Sequence, residues 1–314
     1  MKVAIEILST KTEPSTSNIK ALKESLVAST NELSKAGKLK HSYDFYFYYG
    51  GFDLCELDTN VKTVKDKNYD NCYDLNIAVA ESIYDTYEKG IEVLKYIKGY
   101  DWYIRINISC LLNIKLLDVL IEQFDKLTVY CNAINSYIND EMYYNDLYPR
   151  GDMMIFSSDV REGILANADK YIRCDTVSTA GTRLNIPHVD DCLFGLCLID
   201  YFGKDYYKHL KMLIYNYLPK PVEVITDRYS LYCVGNRVKT VPPGISYSGY
   251  SWNDNEYRRF DGKKMKFLNE QFIKINYDKV LLKDLISEKR ETLFVQLSSQ
   301  PISIFNKYLE AKRR

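Results

Sequence analysis

The chain has 314 residues, 46% of them hydrophobic and 27% charged, and its 42 Lys and Arg balance 42 Asp and Glu. That is enough apolar surface for one large domain or two small ones, which argues against disorder, and a net charge of zero provides no global field for nucleic acid or anionic lipid. Eight Cys without a CxxC pair, spread mostly through apolar stretches, suggest reduced core thiols and a cytoplasmic setting; neither a signal-peptide core nor a span of about 20 apolar residues is found.

In chain order, residues 3–10 read as a strand, an apolar run broken only by Glu6, and 18–36 as an amphipathic helix. Aromatic residues over 43–51 predict a second strand that stops at Gly50 and Gly51, so the opening is α/β. Ile83, Tyr87, Ile91, Leu94 and Ile97 are at helical spacing over 78–97, and Gly99 stops that helix. A buried strand over 101–109, with Trp102 in the core, precedes a helix over 114–124. A short strand at 127–133 and an irregular Tyr- and Asn-rich segment reach Arg150. Residues 151–159 read as a strand into a turn, with Ser158 or Asp159 capping a helix from Val160. A strand near 171–174, a polar loop and an apolar helix behind Asp190 and Asp191 follow. Beyond Leu218, Pro and Gly mark loops and short strands, and a charged amphipathic tail starts near Lys279. No internal repeat is found.

Asp190 and Asp191 form the strongest local constellation. Carboxylates at a helix N-terminus are supported electrostatically, and they serve either as a cap or as a proton acceptor facing a cleft. Arg105 sits in an apolar strand, where a charge costs free energy unless paired; it is either an internal salt bridge or a source of positive charge for an anionic group. His188 adjoins the acidic pair and could assist it, or be structural. His41, His188 and His209 assemble no metal cluster by local spacing, and Cys192 and Cys197 belong to an apolar helix. No P-loop or dinucleotide fingerprint follows any strand. Trp252, near Tyr247 and Tyr250, is suited to stack on a sugar ring or to pack in the core.

Four stretches, in order, resemble the β-1,3-galactosyltransferase and fringe-type glycosyltransferases, especially their short unanchored relatives from microbes and large viruses. Residues 86–109, TYEKGIEVLKYIKGYDWYIRINIS, are similar to that family's helix with an early Lys and the strand that brings in the donor site. RGDMMIFSSDV (150–160) is similar to its Gly-initiated strand, here at Gly151. VDDCLFG (189–195) is similar to its acidic pair and apolar run, and NRVK (236–239) to a basic element of the microbial members. The resemblance covers roughly residues 80–270. It implies a single GT-A-type domain, a mixed central sheet flanked by helices over 1–230, with 231–314 as a C-terminal extension packed on it.

It implies further a hexosyltransferase-like enzyme that moves a sugar from a nucleotide-sugar donor to a glycan or glycoprotein acceptor, inverting, in a bacterial or virally infected host cytosol. Asp191 and Asp190 would be catalytic; Lys89, Arg105, Asn107, Ser109, Arg237 and Lys239 would meet the donor; Gly151, His188 and Trp252 would meet the acceptor. One departure matters. Metal-dependent members carry Asp-x-Asp where this chain reads Asn107, Ile108, Ser109, and neutral oxygens hold Mn²⁺ or Mg²⁺ poorly. Weak or absent metal dependence is therefore expected, with protein cations in the metal's place; the alternative is that a carboxylate elsewhere, Asp190 or Asp191 across the cleft, holds Mn²⁺ or Mg²⁺ instead. A non-catalytic carbohydrate-binding or assembly protein, and a retaining transferase or nucleotidyltransferase, stay open as alternatives.

Overall fold

In the first strand, β1 (Lys2–Leu8), Val3, Ile5 and Ile7 face one side and Ala4 and Glu6 the other, and all five are buried. A strand buried on both faces needs helices above and below it. The computed structural model describes residues 1–11, 15–51, 60–81, 85–108, 110–131, 134–139, 142–149, 153–172, 190–213, 216–217, 232–234 and 262–286.

Eight of the described strands form one mixed sheet. Its parallel centre runs β4 (Cys72–Ile77), β2 (Ser42–Tyr49), β1 and β5 (Trp102–Asn107). Antiparallel β3 (Val61–Lys65) closes one side, and β10 (Met153–Ser157), β7 (Val129–Cys131) and β11 (Leu210–Met212) extend the other. On the face of Val3 and Ile5 lie α1 (Ser15–Leu22), which continues through a π-helical turn (Lys23–Val27) into α2 (Ala28–Lys35), together with α4 (Ile114–Leu120) and α7 (Gly262–Lys274). On the face of Ala4 and Glu6 lie α3 (Thr86–Tyr96), α5 (Ser158–Ala168) and α6 (Asp190–Phe202). The mixed sheet flanked by helices is thus as expected.

Four parallel strands end on one edge, at Leu8, Tyr49, Ile77 and Asn107. The chain winds outward from β1 through β2 to β4 and then returns to β5 on the other side of β1. This reversal makes the β1/β5 edge a crevice of the kind where open α/β sheets bind ligands.

Several boundaries differ from expectation. The helix expected over 78–97 begins only at Thr86, because the backbone before it is engaged in sheet contacts: Ala78 N donates to Asn60 O at 2.9 Å and Gly51 N to Val79 O at 2.6 Å. The cap of α5 is Ser157, whose Oγ accepts from Val160 N at 3.3 Å, in place of Ser158 or Asp159. The Tyr- and Asn-rich segment is an antiparallel pair, β8 (Ile134–Asn139) with β9 (Met142–Pro149). A register shift between Tyr137 and Asn139 breaks the two-residue alternation that would have revealed it. Tyr171 lies in a turn after α5, not in a strand.

From the C-terminal part, β13 (Tyr232–Val234) pairs with β6 (Cys110–Leu112) and with β12 (Asn216–Tyr217). Helix α7 packs on the α1 side. Its Asn269 amide donates to Ser25 O at 3.2 Å and Ser29 Oγ at 2.9 Å, which satisfies a carbonyl of the π-turn. The cysteines Cys72, Cys110, Cys131 and Cys197 are free and buried. Among the described residues no helix is long and apolar enough to cross a membrane.

Candidate active site

Arg105 comes from the middle of β5, directly opposite Glu6 of β1 in the parallel ladder, and its side chain is 1% exposed on the α3/α6 face. Helix α6 starts at Asp190, so both carboxylates of the pair sit in its first turn, where the helix dipole favours them. Arg105 Nη2 donates to the Asp190 carboxylate, and its Nη1 is 3.9 Å from Asp191 Oδ1. The guanidinium lies over the Phe194 ring, 4.9 Å from its centroid, so one turn of α6 supplies both the acidic partners and an aromatic cover. Gly90 lets α3 approach this stack. A Cβ there would come within 3.2 Å of Phe194 Cζ and 3.9 Å of Arg105 Nε.

Beneath the guanidinium the polar groups are incompletely matched. Glu6 is fully buried, and neither of its carboxyl oxygens has a hydrogen-bond partner among the described residues. Burial pushes its pKa up to about 8, with Arg105 and Arg161 pulling the other way. The Tyr48 hydroxyl and Arg105 Nε and Nη1 are likewise buried without hydrogen bonds among the described residues. Tyr48 is held above its ordinary value by burial, against the field of Arg105. Two carboxylates therefore stand within 4 Å of the guanidinium, Asp190 accepting a hydrogen bond from it, while Glu6 stands opposite Arg105 in the ladder without one among the described residues.

Lys89, in the first turn of α3, is also 1% exposed, and its Nζ is 2.6 Å from Glu81 Oε1. The other oxygen of Glu81 accepts from Gly50 N at 2.6 Å, tying α3 to the end of β2. A Cβ on Gly50 would lie 2.8 Å from Lys89 Cδ and 2.7 Å from Val79 O, so only glycine fits there. An anion that reached Lys89 or Arg105 would have to exchange with Glu81 or Asp190.

Asn107 ends β5 at the crevice, half-buried. It is two residues from Arg105, hence on the same face. A neutral amide holds a dication more weakly than a carboxylate does, and among the described residues no three His, Cys, Asp or Glu are arranged to hold a metal. Ser109, Gly151, His188, Arg237, Lys239 and Trp252 lie outside the described residues.

Sequence reasoning singled out Arg105 and the acidic pair but missed Glu6, Glu81 and Phe194. Glu6 carried the same signal as Arg105, a charged residue in an apolar strand. Nothing local to Glu81 or Phe194 marks either one.

No family model and no curated protein matches the chain. Among solved structures, the chain is similar to the catalytic domain of Drosophila β1,4-galactosyltransferase 7 in complex with xylobiose, at 9% identity and a TM-score of 0.28, over 52% of this chain and 51% of that one. It is similar to the glycosyltransferase GlyE of Streptococcus pneumoniae, at 11% identity and 0.36, over 87% and 64%. It is also similar to the galactosyltransferase LgtC in complex with donor and acceptor sugar analogs, at 10% identity and 0.39, over 87% and 97%. The chain thus spans about half of the first and under two thirds of the second. Similarities this remote carry no argument, and the reading of function rests on the chain's own geometry.

Proposed function

We propose that the chain is a glycosyltransferase of GT-A type that moves a sugar from a nucleotide-sugar donor to an acceptor hydroxyl with inversion. The observation that carries this reading is the acidic pair at the start of α6, held against Arg105, two residues before the end of β5. Asp191 is the general base. It takes the proton from the acceptor hydroxyl as that oxygen attacks the anomeric carbon and the nucleoside diphosphate departs. Asp190, fixed by Arg105, orients Asp191 and the sugar. The guanidinium places a positive charge beside both carboxylates.

Asn107 meets the donor, and positive charge for the departing diphosphate comes from protein cations, with Lys89, Arg105, Arg237 and Lys239 as the candidates. Turnover is accordingly weakly dependent on divalent metal, and exhaustive chelation with Mn²⁺ and Mg²⁺ add-back tests it. Free buried thiols support a reducing, cytosolic setting. Asn107 in place of an acidic ligand also favours a second reading, a non-catalytic carbohydrate-binding protein on the same fold.

A donor-hydrolysis and transfer screen across nucleotide sugars separates the two. Asp191→Asn, which keeps an oxygen at the helix start but removes the proton acceptor, should fold and lose about 10²-fold or more in turnover. Near-normal turnover in a folded variant would remove Asp191 from this role.

A further inference from the structure

We infer that Glu6 is a positioning residue of this site, a protonated carboxyl kept beneath Arg105 so that the guanidinium's charge goes undivided to Asp190 and Asp191. The inference rests on the proposed role of the acidic pair and goes beyond it by naming what sets that pair's charge.

The geometry carries it. Glu6 and Arg105 are register partners on adjacent parallel strands, both buried and both on the α3/α6 face. An ionised carboxylate beside a guanidinium ordinarily takes charge-assisted hydrogen bonds from it. Here Arg105 directs its bond to Asp190, Nε and Nη1 make none, and both Glu6 oxygens are without partners among the described residues. An unpaired buried charge is costly, and a neutral acid removes that cost. Its ordinary ionisation is displaced upward to match.

The groups facing Glu6 are Tyr46 and Tyr48 on β2, Tyr103 and Arg105 on β5, and Arg161 on α5; Asp190 and Asp191 on α6 act through Arg105. On α3, Lys89 is engaged by Glu81. If Glu6 loses its proton, a third anion competes for Arg105 and a negative charge stands under the crevice. The hold on the acidic pair loosens, and an anionic donor is disfavoured. Turnover should then fall on the alkaline side as Glu6 ionises.

Two measurements decide it. In ligand-free protein, the buried carboxylic-acid infrared band of Glu6, assigned by its loss in E6Q, should persist at pH 7 and disappear near pH 8. In D190N, which frees Arg105 for Glu6, the midpoint should drop by about one pH unit. A carboxylate band already at pH 6, or a midpoint unmoved by D190N, would overturn the inference; should E6Q not fold, ¹³C-carboxyl titration of wild type and D190N reads the same midpoints. In the second measurement, the pH profile of kcat/KM for donor turnover should lose its alkaline limb in E6Q, and an unchanged limb in the folded variant would also overturn it. If the wild type turns over no nucleotide sugar, the glycosyltransferase reading fails while the ligand-free titration still decides Glu6.

Discussion

Each face of the sheet holds a cation, half-buried Lys23 on one and buried Arg105 on the other, and the two are matched in opposite ways. On the α1 face, Lys23 of the π-turn bonds Asp66 and Asp74, each at 2.9 Å, lies 5.1 Å above the Phe47 ring, and shares Asp74 with the Tyr49 hydroxyl. On the α3/α6 face, Arg105 stands among Glu6, Asp190, Asp191 and Tyr48 with several buried polar atoms unbonded among the described residues. A satisfied buried network rigidifies, whereas an unsatisfied one stores free energy that persists where a site uses it. On this contrast, the Lys23 cluster is a matched network and the Arg105 cluster is the one proposed above as the site.

Removing the cations is the strongest way to break that contrast. Arg105→Met leaves Asp190 charged and largely buried, which should cost about 3–5 kcal/mol of stability and abolish turnover, as read by denaturant unfolding and donor assay. A stable, active R105M would mean that the acidic pair does not depend on Arg105.

The next effect is smaller and has a sign. The folded-state value for Glu6 is raised to about 8 from 4.5, so the folded protein binds the extra proton and stability is fully present below pH 4.5. It is lost as pH rises through 8, at about 1.4 kcal/mol per pH unit in between. Asp66 behaves oppositely. Despite burial, its hydrogen bond from Lys23 holds it below the usual value, so its contribution is present above the unfolded value and is lost in acid. E6Q should therefore flatten the decline in stability between pH 4.5 and 8 and leave the acid limb in place. A wild type whose stability is level across that range would refute the unmatched-acid description.

Lys23→Met should cost about 2 kcal/mol by stranding Asp66 and Asp74, while turnover per folded molecule stays as in the wild type. Lost turnover in folded K23M would join the two clusters functionally. Smallest is Phe194→Leu, which removes the aromatic cover of Arg105 for about 1 kcal/mol, with donor turnover more affected than the melting temperature implies.

Legibility followed the range of the interaction. Strands 102–107 and 153–157 could be read because runs such as WYIRIN and MMIFS are buried on both faces and need no partner to identify them. The start of α3 could not. Amphipathic spacing extends upstream of Thr86, but backbone contacts with Asn60 and Gly51 claim residues 78 and 79 for the sheet. At the site, Asp190 and Asp191 were legible as helix-start carboxylates and Arg105 as a misplaced charge. That the one answers the other was not, since they are 85 residues apart. Glu81, bonded to Lys89 and to the Gly50 amide, turned an expected donor-facing lysine into an engaged one.

By itself, then, the sequence determined the α/β class, the apolar strands, the acidic start of α6 and the absence of an Asp-x-Asp at 107–109, because composition, alternation and capping are local properties. Only the tertiary structure decided which charges meet. Strand order puts Glu6 beside Arg105, and the placement of α6 over β5 chooses Asp190 as the guanidinium's partner. In a buried site, that pairing governs ionisation, because removing water makes each charge depend on its nearest neighbours.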